Sequence, residues 1–344
     1  MKKKSSLTPH QVKFRNRIKT FLKLALVIAL LAFMLRNDLI SPKALLQAFH
    51  RWPQLLPAMG GLFFTMLLGV FRWQWLLRAQ NIHLSWYRTF QLTLIGNFFN
   101  IALPGAVSGD FIKAYYIGQE TGGQKSRAFG SILFDRVAGL SALVMVSAGA
   151  LAYQFQKYSH SSLIGAVGLL MTIAAICVAL LYGYLFLVKE KHDVFLIFLR
   201  KTERKFPAAG AFVRVYESLR HYHNHRLTIL KVLAISCVIH LTVGWVCLTF
   251  AHVLDPGPIR LADVYVVVPM GLLVTAVPVA PAGIGTGNLA FSELFKNIGS
   301  LRGGDIYNLY AMTNILIGMI GALIYFRFRS KLQISAAKAK EMGL

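Results

Sequence analysis

The stretch NIALPGAVSGD, residues 100–110, interrupts an apolar run. It places Asn100, Pro104, Gly105, Gly109 and Asp110 where a membrane helix would carry leucine. Proline lacks the N–H that a helix needs and glycine weakens helical backbone, so the helix breaks here. Non-helical backbone at membrane depth survives only where protein or water satisfies its polar groups. A second interruption of the same kind, PVAPAGIGTGN at 278–288, carries Pro278, Pro281, Gly283, Gly285 and Gly287.

The surroundings identify the solvent. The chain has 344 residues, of which 56% are hydrophobic, and its mean hydropathy is +0.56. Soluble domains hold roughly 45–50% apolar residues. Apolar segments run at about 19–36, 56–77, 90–117, 130–155, 163–188, 229–253, 262–298 and 306–326, several of them meeting the length of roughly 20 residues that one crossing requires. Against 13 acidic residues stand 37 Lys and Arg, a net charge of +24. These cations cluster between the apolar segments and not on a basic soluble module, which excludes a nucleic-acid partner and indicates an anionic membrane surface.

Charge then fixes the threading. The head at 1–18, the connection at 189–228 and the tail at 327–344 are all strongly basic and belong in the cytoplasm. The apolar start at 19–36 has no small-x-small cleavage site and reads as an uncleaved signal anchor. Five full crossings before residue 189 would put the basic connection outside. If 90–117 instead enters and leaves on the cytoplasmic side, the connection stays inside. By the same count, 262–298 must begin and end outside. Both segments carry their helix breakers at the middle.

The expected fold is an all-α polytopic membrane protein. It has six full spans plus two re-entrant hairpins in an inverted-topology repeat, with both termini cytoplasmic. The halves are 19–188, with its hairpin at about 90–117, and 229–326, with its hairpin at about 262–298. Inverted repeats with paired broken helices are the architecture of secondary transporters. Between the halves, Phe212, Val215, Tyr216 and Leu219 stand at helical spacing, predicting an amphipathic helix on the cytoplasmic surface. His221, His223 and His225 read as solvated, and Cys177, Cys237 and Cys247 as small packing residues.

The hairpins also gather polar groups. Charges within a membrane are costly and are functional candidates. Asp110 and Lys113 are spaced for an i,i+3 pair. Asp135 and Arg136 point apart on a helix, and Arg136 is expected to reach across to Asp110. A restarted helix offers unpaired N–H groups with partial positive charge. Asn97, Asn100, Ser108, Thr286 and Asn288 add neutral hydrogen-bonding groups. With Lys113 and Arg136 these suit a phosphate headgroup better than a metal ion. Pro104, Gly105, Gly109, Pro278, Pro281, Gly283, Gly285 and Gly287 are read as the hairpin turns. Arg72, among Trp73 and Trp75, reads as an interfacial anchor with belt aromatics. No catalytic motif, metal-ligand set or cofactor fingerprint is expected. GQETGGQKS at 118–126 misplaces the lysine of a phosphate-binding loop, and GIGTGN lies in a membrane hairpin.

GNFFNIALPGAVSGDFIKAYYI, SILFDRVAGL and PVAPAGIGTGNLAFSELF together resemble the flippase-like family named for the lysylphosphatidylglycerol synthase transmembrane region. This is the membrane half of multiple peptide resistance factor proteins, here in stand-alone form. The likeness covers roughly 15–330. Family members often carry arginine where Lys113 stands, Glu-Arg at Asp135-Arg136, and Glu or Gln at Asn288. The resemblance implies movement of a phospholipid or polyprenyl-phosphate lipid across a bacterial inner membrane, with the headgroup between the hairpin tips. It implies no aminoacyl transfer, since the soluble synthase domain of the fused relatives has no counterpart here. Two alternatives remain: a membrane glycosyl- or aminoacyl-transferase acting on a lipid-linked acceptor, and a scaffold for a soluble lipid-modifying enzyme.

Overall fold

The computed structural model describes residues 50–102, 108–121, 124–158, 162–206, 210–255, 257–275 and 285–341, together with Leu46 and Gly283. The expected basic head at 1–18, the expected first span at 19–36 and the expected turn residues Pro104, Gly105, Pro278 and Pro281 lie outside the described residues. Among the described residues the regular structure is helical throughout. The first four helices are α1 (Trp52–Ala79), α2 (Trp86–Ala102), α3 (Ser108–Glu120) and α4 (Lys125–Tyr153). The one-turn α5 (Phe155–Tyr158) and the long α6 (Ser162–Leu187) follow. The connection forms α7 (Val194–Lys205) and α8 (Gly210–His221). The second half comprises α9 (Arg226–Leu254), α10 (Leu261–Thr275), α11 (Thr286–Lys296) and α12 (Gly303–Glu341). Among the described residues, five stretches are long and apolar enough to cross a membrane: Trp52–Ala79, Lys125–Tyr153, Leu163–Leu187, Gly210–Leu254 and Gly303–Arg327. The outward face of α6, with Leu169, Ile173, Ile176 and Leu180 exposed, is apolar, as lipid requires.

Local chemistry explains how α2 and α3 fold back. Helix α1 starts with Pro53 in its first turn, where the missing N–H costs nothing. It stops at Asn81, whose φ of 59° is left-handed. The Ile82 N–H donates to the Leu77 carbonyl and the Asn81 N–H to the Arg78 carbonyl, a Schellman closure. The chain therefore reverses at once into α2. Helix α3 returns antiparallel along α2: the Gly109 N–H donates to Asn100 Oδ1, Lys113 lies on Gly96, and Arg88 pairs with Glu120 at the open end. Two glycines allow this approach, because a Cβ on Gly109 would collide with the Gly96 carbonyl. Gly109 thus sits inside the restarted helix, and its role is close contact instead of turning. Gly283 and Gly285, with φ of 66° and 89°, do adopt the backbone of a turn. Gly287 lies within α11 against the Tyr307 ring.

Helix packing follows a repeating scheme. Helices α1 and α9 lie antiparallel along the centre, Gly61 against Val246 and Arg51 Nη1 donating to the Val253 carbonyl. The first hairpin places α2 on α12, with Phe99 and Tyr325 edge to face at 4.9 Å, and α3 on α4. The second hairpin reverses the assignment, α10 packing on α4 and α11 on α12. Lys157 Nζ and Tyr158 Oη, each 2.6 Å from buried Asp263, fasten the end of the α4–α5 arm to the first turn of α10.

The connection contains a helix where the amphipathic one was expected, α8, with α7 before it, but the inward face differs: α8 turns Val213, Ser218 and Arg220 inward while Phe212 is exposed. Its partners set that face: Gln80 donates to the Ser218 carbonyl, Ser218 packs on Gly130, and Arg220 reaches carbonyls at the end of α6. His223 is half-buried, its Nδ1 2.8 Å from the Leu185 carbonyl, so it is not simply solvated. The ends of α1, α4 and α6 therefore share one end of the bundle with α8.

Candidate functional site

Between α1, α2, α3 and α4 lies a cavity of about 260 Å³. Its walls include Arg72, Trp73, Asn97, Lys113, Asp135 and Arg136. Helix α4 supplies two charges that diverge, because neighbours on a helix are about 100° apart. Arg136 Nε donates to Asp110 Oδ2 at 2.8 Å, the pairing expected from the sequence. Asp135 turns the other way and receives both arms of Arg72, Nε to Oδ1 at 2.7 Å and Nη2 to Oδ2 at 2.9 Å. Arg72 Nη1 donates to Ser236 Oγ at 3.1 Å, tying the site to α9 of the second half. Gly139 makes room for that guanidinium, and its carbonyl bonds His240 Nε2 at 2.9 Å. Fork-on-fork geometry of this kind fixes orientation as well as charge.

Asp110 belongs to the first turn of α3, where a carboxylate complements the helix dipole. Lys113, one turn on, places Nζ 3.7 Å from Asp110 Oδ1 and 4.8 Å above the Trp73 ring. Trp73 is held by Nε1 donating to Ser131 Oγ. Asn100 also lines the cavity, but its Oδ1 caps Gly109. Three cations and two carboxylates thus meet in one small polar space. Nothing comparable would persist among apolar helices without a ligand or a packing task to justify it.

The structure brings together Asn97, Asn100, Asp110, Lys113, Asp135 and Arg136 from the predicted set. Ser108 is half-buried at the start of α3. Thr286 and Asn288 stand apart from this cavity. Thr286 Oγ1 donates to the Gly283 carbonyl. Asn288 Oδ1 accepts from the Gly285 N–H, and its Nδ2 donates to Asn308 Oδ1 at 2.7 Å and to the Gly304 carbonyl. These groups hold α11 to α12. Arg72 was missed as a site residue: its reading as an interfacial anchor is corrected by its half-buried pairing with Asp135. The available signal was its position, seven residues before the end of a long apolar helix.

The comparisons with known proteins agree with this picture. Residues 20–303 match the family model described as the lysylphosphatidylglycerol synthase TM region. A UPF0104 membrane protein of Pyrococcus horikoshii is 25% identical over 253 residues, covering 68% of this chain and 74% of that protein. No solved structure matches the chain. A polytopic helical bundle with a charged internal site, matched across most of its length by one family model, is therefore a multi-pass membrane protein belonging to the lysylphosphatidylglycerol synthase transmembrane-region family.

Proposed function

We propose that this chain moves a phosphate-bearing lipid between the leaflets of a bacterial inner membrane, its headgroup entering the α1–α4 cavity while the tails stay in the bilayer. The observation that carries the reading is the cavity itself: four charged side chains, Arg72, Lys113, Asp135 and Arg136, line a space of about 260 Å³ among apolar helices, with Asp110 paired to Arg136 beside it. A charged headgroup crossing unaided loses its hydration, and such a site supplies replacement partners.

The helix lengths support re-entry for both hairpins. At 1.5 Å per residue, the 13 residues of α3 and the 11 of α11 reach roughly 20 Å and 16 Å, short of a hydrocarbon core of about 30 Å. The first hairpin opens at the α8 end of the bundle and the second at the Lys157–Asp263 end. Exchanged packing of the hairpins, α2 on α12 and α10 on α4, supports two inverted halves related about the α1–α9 seam. On the α8 side, exposed Val194, Ile197 and Phe198 adjoin Lys201, Arg204 and Lys205, a face suited to an anionic cytoplasmic lipid surface. Access alternates as one half rocks against the other.

Protein reconstituted in liposomes is expected to speed the loss of fluorescence from a labelled phospholipid or polyprenyl phosphate to an external quencher. Asp110→Asn and Arg136→Ala should each slow that loss by about ten-fold or more, since each strands a buried charge, while the variants still insert and elute as the parent does. Absence of acceleration by the parent protein for every phosphate-bearing lipid tried would remove this reading.

A further inference from the structure

We infer that the α1–α4 cavity selects a headgroup of net negative charge, a phosphate without an added cation, and that Lys113 is the residue that reads the phosphate. The inference rests on the lipid-transport reading only for the source of the ligand. Its basis is which charges in the site are already answered.

Both carboxylates already face cations. Asp135 has each oxygen bonded to Arg72; Asp110 accepts from Arg136 through Oδ2 and faces the Lys113 ammonium at 3.7 Å through Oδ1. An incoming ammonium, such as that of a lysylated headgroup, would have to displace a guanidinium or crowd Lys113 to reach an anion. The cations are not equally answered. Lys113 is buried, and its ammonium has three N–H donors. It stands 3.7 Å from Asp110 and 4.8 Å over Trp73, and it donates no hydrogen bond among the described residues. Its N–H donors are left for the cavity it lines, where an oxygen acceptor can take them. A phosphate oxygen supplies that acceptor together with the charge that balances three cations against two anions.

Size and access agree. Drug-sized ligands occupy about 300–1,000 Å³, so a cavity of about 260 Å³ takes a headgroup and leaves the acyl chains outside. The Arg136 side chain, 46% exposed, marks the open side. Asn97 lines the same space and offers an amide to a second phosphate oxygen or to a glycerol hydroxyl.

The test is competition for binding in mixed micelles. Purified full-length protein is loaded with a fluorescent phosphatidylglycerol and challenged with phosphatidylglycerol, phosphatidylethanolamine, lysyl-phosphatidylglycerol, sn-glycerol 3-phosphate or inorganic phosphate. Phosphatidylglycerol is expected to displace the probe at concentrations about ten-fold lower than lysyl-phosphatidylglycerol, the ratio of roughly one charge-assisted hydrogen bond. Lys113→Gln should bring the two lipids to within about three-fold of each other, and Lys113→Arg should keep the preference. Equal displacement by the lysylated lipid in the parent protein, or no binding of the probe, overturns the inference even if neither variant folds. Equal displacement in a protein that still moves lipid overturns the inference and spares the transport reading. Displacement by soluble phosphates as strong as by lipid upholds the anion selectivity and removes a lipid as its source. Selective lipid binding without movement upholds the inference and removes transport.

Discussion

Asp193 has no exposed side-chain surface, yet it is charged and bonded on all sides. Its carboxylate caps α7 through the Leu196 N–H, accepts from the hydroxyls of Tyr184 and Tyr216, and faces Arg220 at 2.9 Å. Burial, the largest single influence, pushes its pKa up; the amide, the two hydroxyls and the Arg220 charge together outweigh it and hold the carboxyl below its usual range. A carboxyl depressed in the folded state adds stability that is complete above its ordinary pKa of about 3.9 and is lost as pH falls through the lower folded value. Protection against hydrogen exchange in α7 and α8, taken relative to the intrinsic exchange rate at each pH, should therefore hold steady from neutral pH to about pH 4 and fall only below it. Asp193→Asn should lower that protection already at neutral pH. Unchanged protection in that variant would contradict this role for Asp193. Individual charges differed in how far the sequence disclosed them. Asp110, Lys113 and Arg136 stood out because membrane segments hold few charges. Arg72 was concealed by its aromatic neighbours, and its partner Asp135 lies 63 residues away on another helix, a distance no local pattern spans.

At the level of elements, the first hairpin depends on how closely α2 and α3 approach. Replacing Gly109 by alanine drives a methyl group into the Gly96 carbonyl. Gly60, in the middle of α1, has open space around its Cβ position, and alanine there gains up to about 1 kcal/mol of helix propensity. Gly109→Ala should accordingly lower the thermal midpoint in detergent and Gly60→Ala should leave it level or raise it, with backbone overlap costing roughly 1–3 kcal/mol. A Gly109→Ala protein as stable as its parent would mean the hairpin is looser than described. That two helices, α2 and α3, divide the segment at 90–117 was legible, because helix breakers act locally. The inward face of α8 was not. Its apolar spacing favoured Phe212, whereas the Gln80 amide after α1 donates to the Ser218 carbonyl and carbonyls at the end of α6 accept from Arg220, drawing that face inward, and those partners come from distant sequence.

For the whole molecule, the bundle gathers the ends of α1, α4 and α6 on α8, the end to which the basic connection belongs. Single cysteines at Asn81 and Thr121, which flank the first hairpin, should both react with a membrane-impermeant maleimide from the side that labels Lys205→Cys, and a cysteine at Gly257 from the opposite side. Reaction of Asn81→Cys and Thr121→Cys from different sides would turn the hairpin into a crossing and dissolve the proposed symmetry. The inter-half contacts could not be read beforehand, because tight helix contacts such as Gly321 on the Leu94 backbone leave no periodic signature. That contact also bears on manufacture. The surface against which α2 rests is made of residues past 303, translated some two hundred codons later. During synthesis the early hairpin lacks that wall until the second half is made, so the two halves reach their final packing together.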